Sequence, residues 1–292
     1  MEGDDWNGAM TDQLERTLSL TLGEADGRVV VAAVDLYSRL AQGQLAPIVD
    51  LAMDGSMPVH DPAHGSRRAT PDEIERLRAG ARMLRSTMGY FGGVYLSMDA
   101  RLHVRARRCW EIERVLVAVV RRDAPKASPV HDGLWRRLAD GPPPEAEILP
   151  DGSVRLRLGE GAARALARGL EIHERVCRAD MGALTEMMAS GEILGFVDRT
   201  GETRKVPERQ LDRMPFMASV MTDPLRVPRR SIMPLDPTAS DAAHRSRAVR
   251  VALASMGVGR APDDGQPRFP APEAVVEPVP GVRPPDPVRS IR

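Results

Sequence analysis

The sequence predicts an α-rich α+β fold made of two related helical units, each with a short strand pair, related by a pseudo-twofold internal duplication. Three observations predict it. Leu20-Thr21-Leu22-Gly23-Glu24 returns as Leu156-Arg157-Leu158-Gly159-Glu160, and self-similarity at a fixed displacement is the mark of a repeated structural unit. The match continues without a gap: Val34–Leu40 faces Leu170–Val176, Gln44–Leu51 faces Asp180–Met187, and Gly55 faces Gly191. In both copies a period-2 apolar pattern gives way to a period-3.6 pattern, a strand followed by a helix.

The elements follow in order. Leu18/Leu20/Leu22 and Val154/Leu156/Leu158 alternate and read as strands broken by Gly23 and Gly159. Helices are expected over Ala25–Ala41, where Val30, Val34, Tyr37 and Leu40 share a face, and over Gly161–Arg178, where Leu166, Leu170, His173 and Cys177 do. Gly43 and Ala179 mark tight joints to short helices, Gln44–Met53 and Asp180–Ala189, ending at Gly55 and Gly191. Thr70-Pro71-Asp72-Glu73 is a helix start, with Thr at the N-cap, Pro at the first position and acids in the first turn. That helix runs to about Met88. Gly92–Leu96 reads as extended, and a long helix runs from near Asp99 to Arg122. The second unit repeats this plan with a helix over Val206–Val220, an extended Ser231–Met233 and a closing helix over Ser240–Ser255. The expected boundaries are an N-terminal extension over 1–17, units over 18–123 and 154–256, a Pro-rich linker over 124–153 and a disordered Pro-rich tail over 257–292.

Composition excludes several functions. The 41 basic residues are matched by 41 acidic ones, unlike the strongly basic domains that coat polyanions. Aromatic residues are 3% of the chain, too few for the stacking platforms of single-strand binders. Cys109 and Cys177 are expected as small buried apolar residues rather than a disulfide framework. The acidic Met1–Trp6 segment lacks a signal-peptide core and no apolar run approaches membrane-spanning length, so a cytoplasmic protein without a membrane partner is expected.

The run Asp35-Leu36-Tyr37-Ser38-Arg39-Leu40, followed by Gly43-Gln44-Leu45, resembles a family of uncharacterised proteins of tailed phages and prophages. In that family such a helix-turn-helix precedes a Gly-containing extended segment and a final helix like Ala106–Val120. The resemblance covers residues 18–122 and, in degenerate form, 154–255, where His173, Glu174 and Asp180 replace Tyr37, Ser38 and Gln44. It implies a mobile-element setting and no particular activity, cofactor or catalytic residue.

Candidate chemistry is sparse. His60-Asp61-Pro62-Ala63-His64 is the densest set of metal-ligand residue types, but Pro58 and Pro62 put it in a loop, where His-x-x-x-His loses its helical geometry, and no third ligand follows at motif spacing. No cofactor is therefore expected. His173, on an apolar stripe, is read as a core residue holding one hydrogen bond; the catalytic alternative pairs it with Glu174 or Asp180. No nucleophile elbow, phosphate loop or dinucleotide fingerprint is present. Arg101, Arg105 and Arg108 recur at helical spacing and form a candidate phosphate-facing ridge, with Arg245 and Arg247 in comparable places in the second unit. Three classes remain open: a non-enzymatic interaction or regulatory protein with an unidentified protein partner, a nucleic-acid-binding protein using that ridge, and an enzyme of unrecognised type.

Overall fold

A computed structural model describes residues 16–61, 65–87, 102–120, 142–193, 240–262 and 268–277. The fold is mostly helical α+β. Among the described residues one four-stranded antiparallel sheet carries helices on one face, and a small hairpin stands apart.

The N-terminal half begins with β1 (Thr17–Leu22), which runs through Gly23 directly into α1 (Glu24–Ala41). Then come α2 (Ala46–Asp54), the hairpin β2 (Val59–Asp61) and β3 (Gly65–Arg67), α3 (Pro71–Thr87), α4 (Val104–Val120) and β4 (Glu145–Ile148). In the C-terminal half β5 (Val154–Gly159) runs straight into α5 (Glu160–Cys177), followed by α6 (Gly182–Ala189), α7 (Asp241–Ser255) and β6 (Glu273–Val276). The strand order is β4-β5-β1-β6.

Local chemistry explains the helix ends. Neither Gly23 nor Gly159 supplies a capping side chain, but Glu24, Asp26 and Glu160 sit in the first turns, where negative charge favours the helix dipole. The Thr70 start is a capping box: Thr70 Oγ1 accepts from the Glu73 N–H at 3.4 Å, and Glu73 Oε2 accepts from the Thr70 N–H at 2.8 Å. Arg67 adds a two-pronged grip on Glu73, at 2.8 Å for both bonds, which holds that carboxyl down at about 2. Ser240 caps α7 by accepting from the Ala243 N–H at 3.2 Å.

The two joints share one hydrogen-bond pattern. At the end of α1, Gly43 N donates to Leu40 O at 2.8 Å and Gln44 N to Arg39 O at 2.9 Å; at the end of α5, Ala179 N donates to Val176 O at 2.8 Å and Asp180 N to Arg175 O at 2.9 Å. Both are Schellman turns, which need a left-handed residue. Gly43 adopts φ 73° at no steric cost, while Ala179 takes φ 55°, the only non-glycine among the described residues to do so. Gly55 and Gly191 also lie at positive φ, as expected.

The core forms beneath the sheet. Leu18, Leu20, Leu22, Leu156 and Leu158 are buried and point toward the helices. There α1 packs on α4, α5 and α7, and α5 packs on α4 and α7. Both expected stripes are buried, from Val30, Val34, Tyr37 and Leu40 to Leu166, Leu170, His173 and Cys177.

Several sequence expectations change. Among the described residues the first strands of the two units pair with each other rather than with a strand of their own unit. β1 pairs with β5, with Leu20 opposite Leu156, and each outer strand lies on the other half's first strand, β4 on β5 and β6 on β1. The expected linker over 124–153 contains β4, and the expected disordered tail over 257–292 contains β6. Residues 268–277 are ordered because the core gives them partners. Arg268 bonds Asp241, the Phe269 ring lies 4.0 Å from the Arg245 guanidinium, and Glu277 accepts from Ser19 and Arg157. Of the expected His60–His64 loop, His60 and Asp61 lie on a hairpin strand, opposite Ser66 and Gly65, and residues 62–64 lie outside the described residues. The extended pieces expected at Gly92–Leu96 and Ser231–Met233, and the helix at Val206–Val220, lie outside the described residues.

Candidate functional site

The side chains richest in chemistry converge between the helices, in two clusters that each tie one half to the other or one helix to its neighbour.

Glu192 anchors the first cluster. The Schellman turn through Gly191, with Glu192 N donating to Met187 O at 2.8 Å, turns this carboxylate inward from the end of α6, where it is 3% exposed. Tyr37 of α1 donates to Oε2 at 2.6 Å, Arg168 of α5 donates through Nε at 3.2 Å, Arg105 of α4 bonds Oε1 at 3.3 Å, and Ser190 Oγ donates at 3.1 Å. Burial alone would push the Glu192 carboxyl up, but these donors overrule it and hold it below its ordinary value. Burial pushes the Tyr37 hydroxyl upward, so it stays a donor. The cluster joins both halves through one carboxylate.

The second cluster lies where α5 meets α7. His173, 1% exposed, shares a hydrogen bond between Nδ1 and Ser246 Oγ at 2.8 Å. Cys177 Sγ lies 3.7 Å from its Nε2. Burial pushes the His173 ring down to about 4, against a small upward pull from Asp54, so the ring is neutral at neutral pH. Burial pushes the Cys177 thiol well up, so it is no thiolate. The next residue, Glu174, also buried, takes Arg247 at 3.3 Å and Arg250 at 2.6 Å. His244 of α7, 5% exposed, has no hydrogen-bond partner for either ring nitrogen among the described residues.

The sequence-predicted site residues scatter. His173 has neither of its expected acid partners, since Glu174 faces the α7 arginines and Asp180 bonds Arg175 at 2.7 Å. The arginine ridge does not form a free row. The Arg108 side chain is 7% exposed and pairs with Glu111 at 3.2 Å, Arg105 is 45% exposed and holds Glu192, and Arg101 lies outside the described residues. In the second unit Arg247 is fully buried and Arg245 bonds Asp26 at 2.9 Å. His60 and Asp61 sit on β2, while His64 lies outside the described residues. Among the described residues no group of three or more His, Cys, Asp or Glu side chains is placed to hold a metal, and no helix is long and apolar enough to cross a membrane. Sequence reasoning missed Glu192; the one signal for it was an acid directly after the capping Gly191.

No protein-family model, no curated protein and no solved structure matches this chain.

Proposed function

We propose that this chain is a non-enzymatic interaction or regulatory protein, built as an internal duplication whose halves pack about a pseudo-twofold axis as a homodimer would. One observation carries the functional reading: the reactive groups serve as internal fastenings. Tyr37 and Glu192 close one seam, and His173 is buried against Ser246 and Cys177 at another. A catalytic residue must reach substrate, and these reach each other.

The duplication is supported by registers that coincide at a displacement of 136 residues, from Leu20 to Leu156. Leu20 pairs with Leu156, Leu18 with Leu158, and Leu22 with Val154, so the pairing maps onto itself when the halves are exchanged. A methyl group built on Gly169 would lie 3.6 Å from the Ala33 carbonyl oxygen, so α1 and α5 also approach at matching positions. The Asp35–Gln44 resemblance supports a phage or mobile-element setting.

The test uses the tagged full-length chain in lysate of the source organism, with wild type and His173→Gln side by side. The reading expects a stoichiometric protein partner retained equally by both. Absence of such a partner would overturn it. Steeply salt-dependent duplex DNA binding at about 50 mM salt would replace it with the nucleic-acid reading.

A further inference from the structure

Two segments far apart in the chain carry one pattern. Pro144-Glu145-Ala146-Glu147-Ile148-Leu149-Pro150 and Pro272-Glu273-Ala274-Val275-Val276-Glu277-Pro278 share Pro-Glu-Ala-x-(Ile/Val)-x-Pro. Each lies antiparallel on the outer edge of a central strand, in the same register. In β4, Ala146 stands opposite Leu156 and Ile148 opposite Val154; in β6, Ala274 stands opposite Leu20 and Val276 opposite Leu18. The backbone bond just beyond each strand is also repeated: Leu149 N donates to Ser153 O at 2.8 Å, and Glu277 N donates to Thr17 O at 2.9 Å.

One motif seated twice in one way is a recognition rule. The alanine is half-buried against the core, where α4 covers β4 and α7 covers β6, so a small side chain lets the strand close beneath a helix. The branched residue two positions on lies on the same side but beyond the covering helix, Ile148 at 47% and Val276 at 42% exposed. A proline on each flank has no N–H to extend the ladder, which limits the seated segment to its short core.

The two occupants differ in their tether. β4 is joined to β5 by the tight turn 149–153, whereas β6 reaches β1 from α7 across residues 256–272. The edge of β1 is thus the replaceable one. Glu277 latches its occupant by accepting from Ser19 Oγ at 2.8 Å and Arg157 Nε at 2.9 Å.

We propose that the outer edge of β1 is a peptide-recognition groove for extended Pro-Glu-Ala-x-(Val/Ile)-x-Pro segments, occupied in cis by β6 and opened by strand exchange to such a segment of a protein partner. Backbone pairing supplies the affinity, and the half-buried alanine position supplies the specificity. The cis strand competes at an effective concentration on the order of mM. This names a partner chemistry for the interaction reading and rests on it, but failed exchange would leave partner capture in lysate unchanged, so the two failures are distinguishable.

The test is fluorescence anisotropy of a labelled peptide spanning residues 268–280, titrated with the full-length chain. Wild type should bind weakly. The variant Ala274→Asp/Val276→Asp, which sets a charge at the half-buried alanine of the cis strand and removes a strand-favouring residue beside it, should bind at least about tenfold more tightly. A peptide carrying the same two changes should not bind. The milder Glu277→Gln, which removes only the latch, should raise uptake several-fold and decides the matter if the double variant does not fold. No gain of binding in a folded variant, or equal binding of the doubly changed peptide, would overturn the proposal.

Discussion

Tyr37 and His173 occupy matching places on α1 and α5, and the two halves use them differently. In the N-terminal half the position is ionic: a phenol donates to a buried carboxylate that two arginines also hold. In the C-terminal half it is neutral: an imidazole shares a hydrogen bond with a serine beside an unionised thiol. The strands, helix ends and joints around them correspond. Backbone frame and apolar stripe therefore set the architecture, while the polar fastening at its centre is free to vary, provided the groups of that fastening bond one another.

The largest expected break comes at the ionic seam. Glu192→Leu removes the acceptor of Tyr37, Arg105 and Arg168 together and should cost about 3 kcal/mol, the low end for breaking a buried pair because Arg105 reaches water. Urea unfolding reads this as a lowered midpoint at unchanged slope; a loss under about 1 kcal/mol would mean the seam is not a fastening.

Acid separates the two seams. The His173 ring is held down at about 4, below the roughly 6.5 of an unfolded histidine. On acidification the unfolded chain takes the proton first, so His173's contribution is whole above about pH 6.5 and is lost toward pH 4, at up to about 1.4 kcal/mol per pH unit. His173→Gln should flatten this limb in chemical unfolding followed against pH. His103 and His244, also lowered by burial, should keep part of the slope. Glu192, held below its ordinary value, contributes above that value and is lost only at more acidic pH.

The outer strands sharpen the comparison next. Ending the chain after Arg260 removes β6 and should destabilise by about 1–2 kcal/mol, a drop of several degrees in melting temperature, because several strand hydrogen bonds and the Glu277 latch go with it. An unchanged melting temperature would return residues 268–277 to the tail.

The joints give the smallest effects. Gly43→Ala should cost about 1 kcal/mol, since alanine is penalised at positive φ. The reverse change, Ala179→Gly, relieves the same strain but loosens the unfolded chain and should fall within about 0.5 kcal/mol of neutral. Equal and large effects at both positions would show that the joints are not equivalent.

Much of the frame was legible because it rests on local periodicity. The Leu18/Leu20/Leu22 alternation, the Val30-to-Leu40 stripe and the Gly43 joint each declare their structure within a few residues. The outer strands were not legible: each is four residues long and flanked by prolines, so β4 reads as linker and β6 as tail. Their order comes from partners that sequence spacing cannot show, Leu156 and Leu20. The clusters were hidden for a related reason. Arg108 and Arg105 look alike on a helical wheel, and only the packing of α4 buries one and leaves the other reaching toward Glu192. His173 was legible as a core histidine with one bond, though not its partner Ser246.

The crossing of strands between halves also sets a timetable. Ser19 and Glu277 bond to each other 258 residues apart, and at about 5–20 residues per second a ribosome needs roughly 13–50 s to make the chain between them. During that interval the helices and β5 are made and can cover the apolar face of β1, but its outer edge stays open until β6 follows. Among the described strands the last closes the sheet on the first, so this pairing is gated by translation, and contacts so distant in sequence are slow to form.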